Sequence, residues 1–185
     1  GLVGSEMCIR DRIKGVLFNY TTGANNTAVG QQALNSNTTG GKNTAVGLQS
    51  LFTNTVGSNN SAFGYSALLN NTTDNNTACG FKALFTNTIG TNNTAVGFRA
   101  LLANTIGSNN TAVGRTSLYS NTTGGSNTAV GNQSLYTNTI GTLNVAVGAN
   151  ALFSNTTGSN NTAVGYTALQ NNTTGISNSA FGYQS

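Results

Sequence analysis

The sequence predicts a β-solenoid-type repeat fold of about ten stacked coils with a 17-residue repeat unit. The first observation is a Gly, preceded by Ala and one apolar residue, that recurs with a 17-residue period in eight of nine intervals. The remaining interval, from Gly64 to Gly80, is shorter by a single residue. The second observation is that fixed residue types occupy the same columns in every interval. Because a single unit this short cannot bury its own apolar side chains, the units are expected to stack. The glycines are Gly30, Gly47, Gly64, Gly80, Gly97, Gly114, Gly131, Gly148, Gly165 and Gly182.

The first limb of each coil is the motif Asn-Thr-Ala-Val-Gly, which predicts one short strand. Asn and Ala are present in all ten coils, and Thr or Ser is replaced only at Val145. The alternation about Ala suits a strand, and stacked strands would form a parallel sheet with about 4.8 Å between coils. We expect Val29, Val46 and Val113 to line one continuous core. Asn at the same column of each coil, such as Asn93, predicts an asparagine ladder in which side-chain amides bond the amides above and below.

The second limb carries Ala or Ser, then Leu, then Asn-Thr, at three, four, seven and eight residues after the Gly. This spacing favours a short helical turn, with a second strand as the alternative. Helices pack about 8–10 Å apart, whereas strands lie about 4.8 Å apart, so a helical limb would force a long array to curve. In either case we expect the Leu column to be buried. Its members are Leu34, Leu51, Leu68, Leu84, Leu101, Leu118, Leu135, Leu152 and Leu169.

The chain is predicted to divide into residues 1–14 and a single repeat solenoid over residues 15–185. The stretch from Gly1 to Arg12 fits no column and resembles translated adaptor sequence from environmental sequencing, or alternatively a capping segment. The register begins near Gly15, and the last coil stops one residue before an expected Leu. We therefore expect the array to be truncated at its C-terminal end and to be cut from a longer protein.

The composition predicts no catalytic, cofactor-binding or metal site. The chain has no His and 3 acidic residues, of which only Asp74 lies in the repeats, so groups that titrate or attack in concert are missing. Asp74 is expected to occupy the Gly column at a turn, and Cys79 to be a small core residue. The 4 cations after Gly15 are scattered in the sequence, which argues against nucleic-acid binding. No apolar run reaches the ~18 residues of a transmembrane helix, so no membrane insertion is expected in this segment.

The Asn-Thr-Ala-Val-Gly block resembles the head repeats of trimeric autotransporter adhesins of the YadA type and related repeats in phage tail-fibre proteins. The resemblance covers Leu17 to Ser185. It implies an elongated, homotrimeric β-roll that is extracellular, on a cell surface or a virion, and binds a host-surface or matrix receptor. The function expected from it is a structural or adhesive fibre segment and not an enzyme. Ala in every coil suggests a surface packed closely by a sister chain or by the second limb of its own coil.

A second function remains open because Thr recurs in every coil. Stacked Thr columns on a flat solenoid face are also suited to binding ice. A broad, flat and exposed Thr face would favour ice binding, whereas a fibre requires only lateral or end-on contacts.

Overall fold

The computed structural model describes residues 22–185, and this part of the chain forms a β-solenoid. Its strands make one parallel sheet in sequence order, without crossovers, which confirms the predicted fold class. Residues 1–14 and the predicted start of the array near Gly15 lie outside the described residues. The strands are β1 (Thr27–Val29), β2 (Thr44–Val46), β3 (Ser61–Phe63), β4 (Thr77–Cys79), β5 (Thr94–Val96), β6 (Thr111–Val113), β7 (Thr128–Val130), β8 (Val145–Val147), β9 (Thr162–Val164) and β10 (Ser179–Phe181).

Each coil is hydrogen-bonded to the coil on either side of it. Ala95, at the centre of β5, is in register with Ala78 and Ala112, and the same pairing of Ala with Ala runs through the sheet. The amide that opens each strand from β1 to β9 donates to the Asn carbonyl of the next coil at 2.8–2.9 Å. The amide of the Gly after each strand from β2 to β10 donates back to the preceding coil, as from Gly97 to Cys79 at 2.8 Å. Hydrogen bonding between coils therefore fixes the register of the whole array.

The core consists of Ala and Leu, and the prediction that Val lines it was wrong. Ala95 and Leu101 are fully buried in one cluster, whereas Val113 is 37% exposed and Val29 is 42% exposed. Residues one apart on a strand point to opposite faces, so Ala and Val cannot share the interior. The Leu of the second limb fills the space inside each coil and leaves room for only a methyl group opposite it. The Ala column is thus covered from within the chain.

The second limb contains neither a helix nor a second strand anywhere in residues 22–185. In a helix the Leu101 amide would bond within the limb, but here it donates to Ser117 of the next coil at 3.0 Å. The Asn104 amide donates to the Leu101 carbonyl, three residues back, at 3.3 Å, as in a single tight turn. The limb is a pair of tight turns whose spare groups bond to neighbouring coils. This arrangement keeps the spacing of about 4.8 Å set by the sheet, which a helix would not permit.

The turns depend on residues in the left-handed backbone region. Gly97 has φ +136°, Arg99 has φ +54° and Leu101 has φ +50°, and the same three columns repeat these values in other coils. Gly adopts positive φ readily, but for a Leu this conformation costs about 1–2 kcal/mol. The conformation turns each Leu side chain inward, where burial of an aliphatic side chain stabilises by about 1.5–3 kcal/mol. Leu burial and backbone strain are therefore coupled in every coil.

The first Asn column links successive coils through the main chain. Asn93 Oδ1 accepts from the Asn110 amide at 2.9 Å, and Asn93 Nδ2 donates to the Gly107 carbonyl at 2.8 Å. Asn110 begins the next coil and Gly107 lies three residues before it, so one buried side chain bonds to two buried backbone groups. The ladder is present as predicted, although here it runs mainly from side chain to backbone.

In the second Asn column, the side-chain amides of successive coils bond to one another and form a ladder. Asn104 Nδ2 donates to Asn87 Oδ1 at 2.8 Å, and Asn121 Nδ2 donates to Asn104 Oδ1 at the same distance. Each Nδ2 also reaches a carbonyl three residues on, as from Asn104 to Gly107 at 2.9 Å. A Cβ on Gly107 would collide with Asn104 Oδ1 and the Gly124 carbonyl, which explains why this column is Gly.

The 16-residue coil breaks the second ladder. Thr73, and not Asp74, takes the Gly position, since its carbonyl accepts from Asn60 Nδ2 at 2.7 Å as a Gly carbonyl does in other coils. Asp74 instead occupies the following spacer position, where its Oδ1 accepts from the Ser58 amide at 2.7 Å. With a side chain on Thr73, Asn71 turns to its own coil, and Asn54 Oδ1 is buried without a partner. The predicted place of Asp74 was therefore off by one column.

Candidate binding surface

Asp74 and Cys79 carry the side-chain carboxylate and the thiol of the described residues. Residues 22–185 hold no group of three His, Cys, Asp or Glu side chains able to bind a metal ion. Cys79 is exposed on the outer side of β4, so the prediction that it belongs to the core was wrong. Cys79 shares the column of Val96, which faces outward because the Ala column of the strands faces the core. The candidate functional sites are therefore surfaces of the solenoid and not a pocket lined by reactive groups.

The outer side of the sheet, called the sheet face below, is an uncovered array of two columns. One column holds the residue before each Ala, as at Thr94 and Thr111, and the other holds the residue after it, as at Val96 and Val113. Val96 is 38% exposed, and no other element of residues 22–185 packs over it. A hydroxyl and an apolar group thus recur together every coil, at a spacing of about 4.8 Å.

Aromatic side chains stack along the solenoid in two columns. Tyr65, Phe81 and Phe98, each one residue after a Gly, have ring centroids 5.2 and 5.3 Å apart with interplanar angles of 11° and 10°. Farther along, Tyr119, Tyr136 and Phe153 form a second stack at 5.1 and 5.2 Å. Stacked rings bury their faces against each other and present edges to solvent.

Three cations converge on the first stack, although they are dispersed in the sequence. Lys82 Nζ lies 5.6 Å from the Phe81 ring centroid and 4.9 Å from that of Phe85. Arg99 Cζ lies 6.0 Å from the Phe81 centroid and 5.0 Å from that of Phe98, and Arg115 Cζ lies 5.9 Å from the latter. Lys82, Arg99 and Arg115 are called the cationic strip below.

Sequence reasoning missed the cationic strip because it treated sequence separation as spatial separation. Lys82 and Arg99 occupy the same column of adjacent coils, and Arg115 falls in the coil after Arg99, one column aside. Aligning the charged residues by their column in the 17-residue repeat places them side by side. The signal was therefore in the sequence but was not extracted from it.

Comparison with known proteins finds no matching family model, no similar curated protein and no similar solved structure. Residues 22–185 also contain no helix with the length and hydropathy required to span a bilayer. Function must therefore be inferred from the columns of the solenoid themselves.

Proposed function

We propose that this solenoid is a non-catalytic structural or adhesive segment of an extracellular fibre, on a cell surface or a virion. The observation that carries the proposal is that the parallel sheet and the first Asn column make the same bonds at every junction between coils. Such an array extends without limit in one direction, and ten coils at about 4.8 Å form a rod of roughly 45 Å. The surface of the rod repeats a few columns of side chains, as a fibre that makes many equivalent contacts requires.

We also propose that the sheet face is where three copies of the chain pack. The Ala column cannot serve, because Leu of the same coil covers it. The apolar column of the sheet face remains, with Val96, Val113 and Val130 at 36–38% exposure on an uncovered surface. Aligned apolar columns of this kind bury well against a copy of themselves around a symmetry axis.

The oligomeric state in solution tests this proposal. We expect sedimentation and small-angle scattering to give an elongated trimer, and Val96→Lys with Val113→Lys to give monomers that keep the β circular dichroism. The matched control is Ile89→Lys with Ile106→Lys, two exposed positions outside the sheet, and it should remain trimeric. A monomeric parent, or a control that dissociates equally, would contradict the packing.

The uncovered Thr column favours one second candidate function, binding to ice. Thr94 and Thr111 lie on the outer side of the sheet beside Val96 and are partly exposed, which supplies a regular array of hydroxyls. A trimer packed through the sheet face would hide that array, so the two functions exclude each other.

Ice binding predicts thermal hysteresis and faceted ice crystals from a monomer, and their loss in Thr94→Lys with Thr111→Lys. The Ile89→Lys and Ile106→Lys pair should keep both properties. Ordinary round ice crystals in the presence of the parent protein would contradict ice binding.

A further inference from the structure

We propose that the cationic strip binds an acidic polysaccharide that runs along the rod. The inference rests on the proposed adhesive function and supplies the chemistry of its ligand. The strip lies beyond the Gly corner that follows each strand, on columns separate from the sheet face. It therefore stays accessible when three copies pack through the sheet face.

The charge of this surface is not compensated within the described chain. Residues 22–185 carry four cations, Lys42 and the three of the cationic strip, against one anion. That anion, Asp74, is engaged by the Ser58 amide at 2.7 Å. Cations on three successive coils lie within about one Debye length of each other, so they repel at moderate ionic strength. A bound polyanion would remove this repulsion.

The cations are also held in place before any ligand arrives. Phe81 is shared by Lys82 and Arg99, and Phe98 is shared by Arg99 and Arg115, all within 6.0 Å. Arg99 is half-buried, and its Nε is shielded without a hydrogen-bond partner. Cation–π contacts fix the positions of these side chains, and a fixed donor loses less entropy when it binds. A guanidinium binds a carboxylate or sulfate group through paired N–H donors.

The stacked rings distinguish between classes of anionic polymer. Single-stranded nucleic acids bind by laying bases on free aromatic faces. Here both faces of Phe81 are covered by Tyr65 and Phe98 at 5.2–5.3 Å, and Arg115 lies over Phe98, so the stack offers no run of free ring faces for successive bases. An acidic polysaccharide needs no free ring face, since it offers charges and hydroxyls along its length. Beyond Arg115 the same columns continue with Asn132 and Gln133, whose amides can bond sugar hydroxyls.

Binding to polygalacturonate and to heparin, with oligo-dT as the comparison polymer, tests the inference. We expect the parent protein to bind at least one polysaccharide more tightly than oligo-dT. Lys82→Gln with Arg99→Gln and Arg115→Gln should weaken that binding by about tenfold or more. Lys42→Gln, which removes a cation away from the strip, should leave it within about twofold. Whether carboxylate or sulfate is preferred follows from the two probes.

A relocated-charge variant separates a site from mere net charge. It combines the triple Gln substitution with Ile89→Lys, Ile106→Lys and Ile140→Lys, which restores the charge at exposed positions outside the strip. The inference predicts that this variant stays as weak as the triple variant. Restored binding, oligo-dT bound as tightly as the polysaccharides, or no polysaccharide binding by the parent would each overturn it. A trimeric rod that binds no polysaccharide would leave the fibre proposal intact, so the two failures are distinguishable.

Discussion

At the scale of single residues, the buried Leu and the buried Asn of each coil should both be sensitive to substitution, for different reasons. Leu holds the interior while its own backbone lies in an unfavourable region, and Asn satisfies backbone groups that would otherwise be orphaned. Both are fully buried at Leu101 and Asn93. The neighbouring Asn92 is exposed, at φ +57°, and makes only a long contact of 3.4 Å to Thr91. Residue type alone therefore does not reveal which Asn is structural.

Leu101→Ala should lower the free energy of unfolding by about 2–5 kcal/mol, because it opens a cavity in the buried core. The same change at Leu169, which is only half-buried, should have a smaller effect. Urea denaturation of both variants measures the difference. Equal losses at the two positions would contradict a stability that depends on packing between neighbouring coils.

Asn93→Ala should destabilise by about 1–3 kcal/mol, since it leaves the Asn110 amide buried without a partner and removes one of the two side-chain hydrogen bonds to the Gly107 carbonyl. Asn92→Gly is the control, because Gly accepts the same positive φ and no buried bond is lost. We expect the control to stay within about 0.5 kcal/mol of the parent. Thermal unfolding followed by circular dichroism compares the two. An Asn93→Ala variant that melts like the parent would show that this ladder does not hold the coils together.

At the scale of the coil, the 16-residue unit weakens one junction on the side of the second ladder. In most coils a Thr amide donates to the next coil, at 3.0 Å from Thr88 to Thr105 and 2.8 Å from Thr38 to Thr55. Among residues 22–185 the corresponding Thr55 amide makes no such bond. Beside it, Asn54 Oδ1 is buried and also lacks a hydrogen-bond partner. The sheet continues across this junction, so the defect is confined to one side.

Native-state hydrogen exchange should therefore be faster at the Thr55 amide than at Thr88 or Thr105 by orders of magnitude, because exposed unbonded amides exchange without any opening. Replacing Thr73 with Ile-Gly restores the full length of the coil and should slow exchange at Thr55. Equal protection of the three amides in the parent would show that the junction is intact.

The stacking, the buried Leu column and the presence of Asn ladders follow from the 17-residue period and were predicted. The orientation of the strand was not predicted. The alternation shows that Ala and Val face opposite sides of the sheet, but it does not show which of the two faces the core. The volume left beside Leu101 decides it, and that volume depends on the second limb. The second limb was also missed, because a Leu at φ +50° contradicts its local preference and is imposed by neighbouring coils.

At the scale of the whole molecule, the strands of residues 22–185 contact only the strands of adjacent coils, so the array is one-dimensional. β5 pairs with β4 and β6 and with no other strand, and the same holds along the sheet. Stability in such a protein is a sum over coils and the junctions between them. The length of the array is therefore adjustable without any change in cross-section.

Removing residues 98–131, which are two whole coils, should leave a folded protein in which Gly97 joins Asn132 in register. The denaturant dependence of the unfolding free energy should fall by about a fifth, in proportion to the surface that is buried. Removing 98–122 instead breaks the period and should abolish cooperative unfolding. If the in-register deletion also failed to fold, the interactions that specify the structure would have to extend beyond neighbouring coils.

The strained Leu of each coil also bears on how the chain reaches its native state. An isolated coil that turned Leu101 to φ +50° would bear the backbone penalty without the burial that offsets it. The conformation becomes favourable only against a coil that is already formed, so the first junction is a slow nucleation step and later coils add rapidly. On a ribosome, growth would then proceed from early coils to late ones, with each new turn templated by its predecessor.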